Sequence, residues 1–405
     1  MLANVLIKPG YIELREIKIH KPSDGEVLVR IKAALTCGTD LKAFLRGHPL
    51  IPMPGVFGHE FSGVVTGVGK GVRRFKEGDA VMAVHTAPCL ECIYCKKQLY
   101  NLCEKIMHTK VLGAFAEYIV LPSHVVRQNV FHKPKALSFE EAAFLEPLSC
   151  VVHSVEPLRI KKGDSVLIIG AGPIGLLHLL LLKRKGAKVA VADIKEKRLQ
   201  IAKKLGADFV FLSGTSISSV IPPNPPLVKG GRRDLKKSGQ VELSHSATPF
   251  SKLNPLTPPF GKGGQGGILT KDIGGSLKKE RRQDYQVKKF TGGIGVDYVF
   301  ECTGMTDVWE ASVNYIRKGG TVILFGGCKS GSTVTYDTGR IHYDEITLRG
   351  VFHYTPSDVK KAYKLLCEGE LSVTKLISGR YPLGHVQRAF DKLARGEGIK
   401  YAIIP

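Results

Sequence analysis

The sequence predicts an α/β fold in which a β-rich domain is joined to a doubly wound parallel sheet. Three observations predict it. From Glu13 to Val84 the chain runs in short β-branched and aromatic segments punctuated by Gly and Pro, the texture of a strand-rich domain. After Pro157, apolar runs of strand length alternate with amphipathic runs of helix length, which is how a parallel sheet is built. At 405 residues the chain exceeds the usual span of one domain, so at least two are expected.

Taken in order, Met1 to Glu16 alternates apolar and charged residues and reads as a first strand, followed by strands at Val27 to Ile31 and Phe61 to Val68. Val166 to Ile169 is a short apolar strand, Ile174 to Lys185 a helix, and Val189 to Ala192 a second strand. Glu196 to Leu205 is a helix closed by Gly206, and Phe209 to Leu212 is a third strand. The alternation then stops. Residues 214–284 hold eight of the 22 prolines and eleven of the 45 glycines with little apolar periodicity, and read as a disordered insertion. Within it Pro225-Pro226-Leu227-Val228-Lys229-Gly230-Gly231 returns 33 residues later as Pro258-Pro259-Phe260-Gly261-Lys262-Gly263-Gly264. Such a duplicated low-complexity unit resembles translated interspersed DNA repeats of bacterial genes, with a docking loop as the alternative. Regular structure resumes with a helix ending at Lys288-Lys289-Phe290 and strands at Val296 to Glu301 and Thr321 to Phe325. Two amphipathic helices, Val359 to Gly369 and Val386 to Gly396, and a closing strand, Tyr401 to Ile404, complete the chain.

Gly170-x-Gly172-x-x-Gly175 lies between a predicted strand and a predicted helix, the context in which this pattern marks a dinucleotide-binding Rossmann fold. The first glycine permits the tight turn, the second lets backbone approach a pyrophosphate, and the third lets helix pack on strand. Pro173 and Ile174 open a helix whose N-terminus offers NH groups and partial positive charge. Asp193 ends the next strand, 18 residues after Gly175. There a carboxylate accepts hydrogen bonds from ribose hydroxyls and repels a 2′-phosphate, so NAD is preferred over NADP. Arg198 is a candidate cofactor contact, but a solvated helix residue is the plainer reading.

Composition removes several classes. Hydrophobic residues make up 43% and charged residues 23%, ordinary for a globular protein. The N-terminus lacks the pattern of a secretory signal, and the apolar stretch Ile174 to Leu182 is nine residues broken by His178, against about 20 needed to cross a bilayer. No membrane span is expected. The net charge of +23 suggests a nucleic-acid partner. However, Lys and Arg are scattered without a recognition motif, and twelve of them stand against five acids in residues 214–284 alone. The reading is therefore no nucleic acid, with the remaining positive charge favouring an anionic dinucleotide.

Nine cysteines, an odd number without an export signal, predict reduced thiols and a cytoplasmic location. Four of them form Cys89-x2-Cys92-x2-Cys95-x7-Cys103, enough thiolates to close a tetrahedral zinc shell, which makes the site structural. Disulfides or an iron–sulfur cluster are the competing fits; the lack of other ferredoxin features favours zinc.

A further set is dispersed: Cys37 in Cys37-Gly38-Thr39-Asp40, His59-Glu60 after Gly58, and Glu146 in Glu146-Pro147-Leu148. Singly, each is a small buried thiol, a core histidine or a surface acid. Together with Gly295-Val296-Asp297-Tyr298-Val299-Phe300-Glu301-Cys302-Thr303-Gly304 they resemble the zinc-containing medium-chain dehydrogenases, most closely the sorbitol (polyol) and threonine dehydrogenase branch. The likeness covers nearly everything outside residues 214–284. It implies a GroES-like catalytic domain at 1–153, a Rossmann NAD-binding domain at 154–350, and a segment 351–405 that returns to the catalytic domain. It also implies a catalytic zinc on Cys37, His59 and Glu146, with Glu60 beside the metal or ligating it in some states. Thr39 would be the first proton-relay hydroxyl, although capping the helix after Gly38 is an equal reading, and Lys42 stands near where a relay histidine often lies. Cys302, Thr303 and Gly304 would border the cofactor. The other histidines, His48, His85, His108 and His153 among them, show no metal-ligand spacing and read as surface or core residues.

The expected activity is hydride transfer between a small secondary alcohol or polyol and NAD, with two zincs per chain and a homodimeric or homotetrameric assembly. A threonine 3-dehydrogenase is the enzymatic rival. A non-catalytic protein binding NAD or zinc, impaired by the insertion, is the rival from another class.

Overall fold

A computed structural model describes residues 1–213 and 284–405, so the sequence reading of an insertion at 214–284 lies almost wholly outside the described residues. Strands β1 (Leu2–Lys8) and β2 (Tyr11–Glu16) form an antiparallel hairpin extended by β4 (Gly55–Val56). Here the expectation of a single N-terminal strand is corrected. Pro9-Gly10 breaks the run, with Gly10 at φ 78°, a turn that Pro followed by Gly at positive φ supplies.

The second sheet contains β3 (Val27–Leu35), β5 (Glu60–Val68), β6 (Ala80–Ala83) and β8 (Val130–His132), with β7 (Tyr118–Leu121) also paired to β3. The third is fully parallel: β9 (Ser165–Ile169), β10 (Lys188–Asp193), β11 (Phe209–Leu212), β12 (Val296–Glu301), β13 (Ile316–Leu324) and β14 (Thr347–Gly350). Its order, β11-β10-β9-β12-β13-β14, reverses direction between β9 and β12, which opens a crevice at the carboxyl ends of those two strands. Because side chains alternate along a strand, Val166 and Ile168 face one core and Leu167 and Ile169 another. Burial on both faces is why these strands read as continuous apolar runs. The chain ends in β15 (Ile377–Pro382) and β16 (Lys400–Ile404), and β16 pairs with β3. Among the described residues no helix is long and apolar enough to cross a membrane.

Candidate metal and nucleotide site

The glycine loop leaves β9 and enters the helix Pro173–Arg184, with Gly172 as its N-cap and Pro173 in the first turn, where a missing NH costs nothing. A Cβ on Gly175 would lie 1.9 Å from Gly170 O, so only glycine lets this helix approach the strand. A Cβ on Gly172 would meet nothing within 4 Å, so the space over this turn is open. Asp193 is buried. Its Oδ2 accepts from Ala171 N at 2.7 Å and its Oδ1 from Lys195 N at 2.8 Å, so the acid fixes the loop while keeping lone pairs for a further donor. Arg198 Nη1 stands 3.9 Å from Asp193 Oδ2, turned toward the acid. Across the crevice Thr303 N donates to Glu301 Oε1 at 2.6 Å and Gly304 N to the same oxygen at 3.1 Å. Glu301, which sequence reasoning did not single out, is thus the buried anchor of that loop. Cys302 turns inward, 3.9 Å from His178 Nδ1.

Cys89, Cys92, Cys95 and Cys103 bring their sulfurs within 4.8 Å of one another. The nine cysteines are free thiols, and the separation of Cys89 and Cys95, 3.9 Å, rules out a disulfide between them. Backbone NH groups of Glu91 and Cys92 point at Cys89 Sγ and that of Cys89 at Cys103 Sγ. Hydrogen bonds from backbone, that of Cys95 first, pull the Cys92 thiol down to about 6, whereas burial pushes Cys95 up to about 12. Four convergent sulfurs with NH groups aimed at them suit a metal bound as thiolates.

Cys37 is the N-cap of the helix Gly38–Arg46, its sulfur accepting from Thr39 N at 3.4 Å. The capping role weighed for Thr39 therefore belongs to Cys37, and Thr39 lies in the first turn. Cys37 Sγ, a His59 nitrogen and a Glu60 oxygen lie within 4.8 Å of one another. Asp40, buried in the same first turn, places Oδ1 3.3 Å from His59 Nδ1, an ion-pair approach in which neither Asp40 oxygen completes a hydrogen bond. Burial opposes charge on His59, yet Asp40 and Cys37 outweigh it and hold the imidazole well above its usual range. Glu60 starts β5 beside the end of β3, and one of its oxygens meets Lys400 Nζ from β16, while Oε1 is buried without a hydrogen-bond partner. A thiol, an imidazole and a carboxylate within 4.8 Å of one another, one oxygen of that carboxylate being buried without a hydrogen bond, fit zinc.

Glu146 is one step removed. Its oxygen groups with Cys150 and His353 rather than with Cys37 and His59, so the triad the coordinates draw closest contains Glu60 where the resemblance implied Glu146. The two clusters adjoin through His85, whose Nδ1 is 3.5 Å from Glu146 Oε1 and whose ring lies 4.8 Å from that of His59. Burial pushes the Glu146 carboxyl up to about 7 against the opposing pull of His59. Burial, then His59, drives His85 well below its usual value. His85, read from the sequence as a surface or core residue, and His353 join the site only through the fold; the one available signal was His85 standing four residues before the cysteine loop. Lys42 donates to Gly327 O at 3.3 Å, bridging to the loop after β13.

The family is shown by comparison. Residues 23–134 match the alcohol dehydrogenase GroES-like domain, and residues 173–222 and 276–368 match the zinc-binding dehydrogenase model. The chain belongs to the zinc-binding medium-chain dehydrogenases, an α/β oxidoreductase family that joins a Rossmann sheet to a GroES-like domain. It is 31% identical over 404 residues to a D-arabitol-phosphate dehydrogenase of Enterococcus avium, covering 98% of this chain and 95% of that one. It is 29% identical over 393 residues to a D-xylulose reductase A of Aspergillus niger, covering 95% and 90%. A Sinorhizobium meliloti 1021 protein whose crystal structure is bound to NADP superimposes with a TM-score of 0.74 at 25% identity, covering 100% of this chain and 99% of that one.

Proposed function

We propose that this chain is a zinc-dependent dehydrogenase that moves hydride between a secondary alcohol of a small polyol and NAD. One observation carries the reading: a thiol, an Asp40-supported imidazole and a carboxylate with an unpartnered buried oxygen converge at Cys37, His59 and Glu60, with Glu146 adjoining. Zinc, bound by Cys37 and His59 with Glu60 or Glu146 as the carboxylate, would supply the Lewis acidity that lowers the pKa of a bound alcohol, and a bound nicotinamide would supply the hydride acceptor or donor. The residues do the rest. Asp40 supports His59, Lys400 holds one Glu60 oxygen, and Thr39, half-buried in the first turn beside Cys37, is assigned the alcohol proton by the family resemblance. The four-cysteine loop holds a second, structural zinc. The Gly170 to Gly175 turn takes the pyrophosphate, Thr303 and Gly304 border the nicotinamide half, and Asp193 takes the ribose hydroxyls.

The polyol substrate rests on the sugar-alcohol chemistry named for the relatives, one phosphorylated and one not. NADP is the second reading for the cofactor, favoured by Arg198 beside Asp193 and by the Sinorhizobium meliloti neighbour. A panel of polyols, polyol phosphates, L-threonine and simple alcohols with NAD or NADP, followed by absorbance of the reduced cofactor, tests both. Expected is turnover of a polyol or its phosphate, with NAD preferred by about tenfold or more, since placing a 2′-phosphate against Asp193 costs at least about 1.4 kcal/mol. Turnover of threonine alone reassigns the substrate, and no turnover with both zincs bound favours a binding protein. In the same assay Cys37→Ala is expected to lose one of two zincs and at least about 1,000-fold in rate, or about 4 kcal/mol, while Cys92→Ala loses the other zinc and thermal stability. Full activity in Cys37→Ala overturns the assignment. Light scattering is expected to give a dimer or tetramer.

A further inference from the structure

The helix Gly38–Arg46 starts at the metal cluster, with Cys37 as its cap, and carries Lys42 and Arg46 four residues apart on one face. At about 1.5 Å per residue they stand roughly 8 and 14 Å along the axis from Cys37, and their Cα–Cβ bonds lean back toward that end. Lys42 Nζ donates to Gly327 O at 3.3 Å, on the loop that packs against Gly304. Lys110 comes from another segment. Val111 N donates to His85 O at 2.8 Å, which sets the backbone at Lys110 beside the histidine whose ring packs on His59. Lys110 Nζ is held by Met107 O at 2.8 Å.

The three cations gather about one ring. His48, half-buried just past the end of the helix, accepts from Leu50 N at Nδ1, 3.2 Å away. Burial first, and then Lys42, Arg46 and Lys110 against the pull of Asp40, hold its imidazole below the usual value. Among the described residues, none of Lys42, Arg46 and Lys110 lies within ion-pair distance of a carboxylate, and Asp40 is turned to His59. Cations left unpaired at one side of a site attract an anion. Arg meets a phosphate with a forked pair of NH groups and Lys meets it as a point charge. A phosphate ester carries a charge of about −1.5 to −2, which three cations balance and a free polyol lacks.

We infer that Lys42, Arg46 and Lys110, gathered about His48 at the rim of the metal cluster, form a subsite for a phosphate group on the substrate, so that the preferred substrate is a phosphorylated polyol rather than the free one. The inference rests on the dehydrogenase reading for where the alcohol binds. It deepens that reading by naming Arg46 and Lys110 as residues that set specificity.

The test measures binding and turnover separately on the full-length protein. Each polyol of the panel and its terminal phosphate ester, sorbitol and sorbitol 6-phosphate first, is titrated by calorimetry and assayed for kcat/KM, with NAD and NADP titrated alongside. Variants are Arg46→Gln, Lys110→Gln and their double, Lys110→Arg, which keeps the charge, and Lys375→Gln as an exposed cation on another segment. In the wild type a phosphate ester is expected to bind at least about tenfold more tightly than its parent polyol, an advantage that shrinks as salt rises. Each Gln variant cuts it about 3–10-fold and the double brings the ester within about twofold of the parent. Affinity for the free polyol and for the nucleotides holds within about twofold, and Lys110→Arg and Lys375→Gln keep the advantage. The inference is overturned if no phosphate ester outbinds its parent in the wild type, or if the double variant keeps the preference. It is also overturned if the loss falls on NAD or NADP, which would assign these cations to the cofactor's pyrophosphate. Failure of the dehydrogenase reading shows differently, as binding without turnover in the wild type.

Discussion

Glu60 is fully buried, and Lys400, itself buried, meets its carboxylate from β16. Desolvation raises the Glu60 carboxyl and Lys400 and His59 pull it back, a balance in which removing the cation costs more than the pair contributes. Lys400→Met is therefore expected to destabilise by about 3–5 kcal/mol, with Glu60→Gln in the same chain recovering part of the loss; thermal denaturation of the two variants checks it. A Lys400→Met protein as stable as wild type would show that Glu60 is neutral or metal-held without help. The proposed metal donors were readable in the sequence, since Cys37, His59, Glu60 and Glu146 sit in recognisable short motifs. Their supports were not. Lys400 is 340 residues from Glu60, and His85 and His353 carry no spacing; only the antiparallel pairing of β16 on β3 and the packing of His85 on His59 make them part of a site.

Elements are tied together by Asp297, the first polar residue of β12. Its carboxylate accepts from Ser165 N at 2.7 Å and Ser165 Oγ at 2.6 Å on β9, and from Arg317 Nε at 2.6 Å on β13. Burial raises this carboxyl, but the Ser165 hydrogen bonds and the Arg317 charge more than offset it and hold it below its ordinary value. A folded-state value below the unfolded one means that the stabilisation is present above the unfolded value, near 4, and is lost as pH falls through the lowered folded value. Asp297→Asn is expected to cost about 1–3 kcal/mol at neutral pH, and the gap to wild type is expected to close in acid; denaturation at pH 7 and pH 3 measures both. A gap that widens in acid contradicts the sign. At this scale the parallel strands were readable because burial on both faces makes them continuous apolar runs. The β1–β2 hairpin was missed because its charged residues kept alternating on either side of Pro9-Gly10, and β13 begins at Ile316 because Gly319 and Gly320 interrupt the apolar run without ending the strand.

Across the whole molecule, the family match stops at residue 222 and resumes at 276, within the stretch that sequence texture marks as foreign to the alternation of strand and helix. The residues flanking that stretch are held to each other independently of it. Phe209 on β11 stacks with Phe290, the ring centroids 5.9 Å apart, from a helix spanning 284–291, and Val287 of that helix is buried. Ser213 N donates to Asp193 O at 2.9 Å, so the strand stays anchored beside the acid of the nucleotide loop up to the last described residue. Closing a loop costs entropy that grows only with the logarithm of its length, about 0.6 kcal/mol per doubling, so shortening a long connection between anchored ends relieves rather than adds strain. Removing residues 223–275 is accordingly expected to leave affinity for the proposed nicotinamide cofactor within about twofold of wild type and to hold or raise the melting temperature, as calorimetry and cofactor titration would report. If the shortened chain loses binding of the proposed cofactor while its circular dichroism stays native, the segment contributes to the proposed nucleotide crevice and the reading of it as an insertion is wrong.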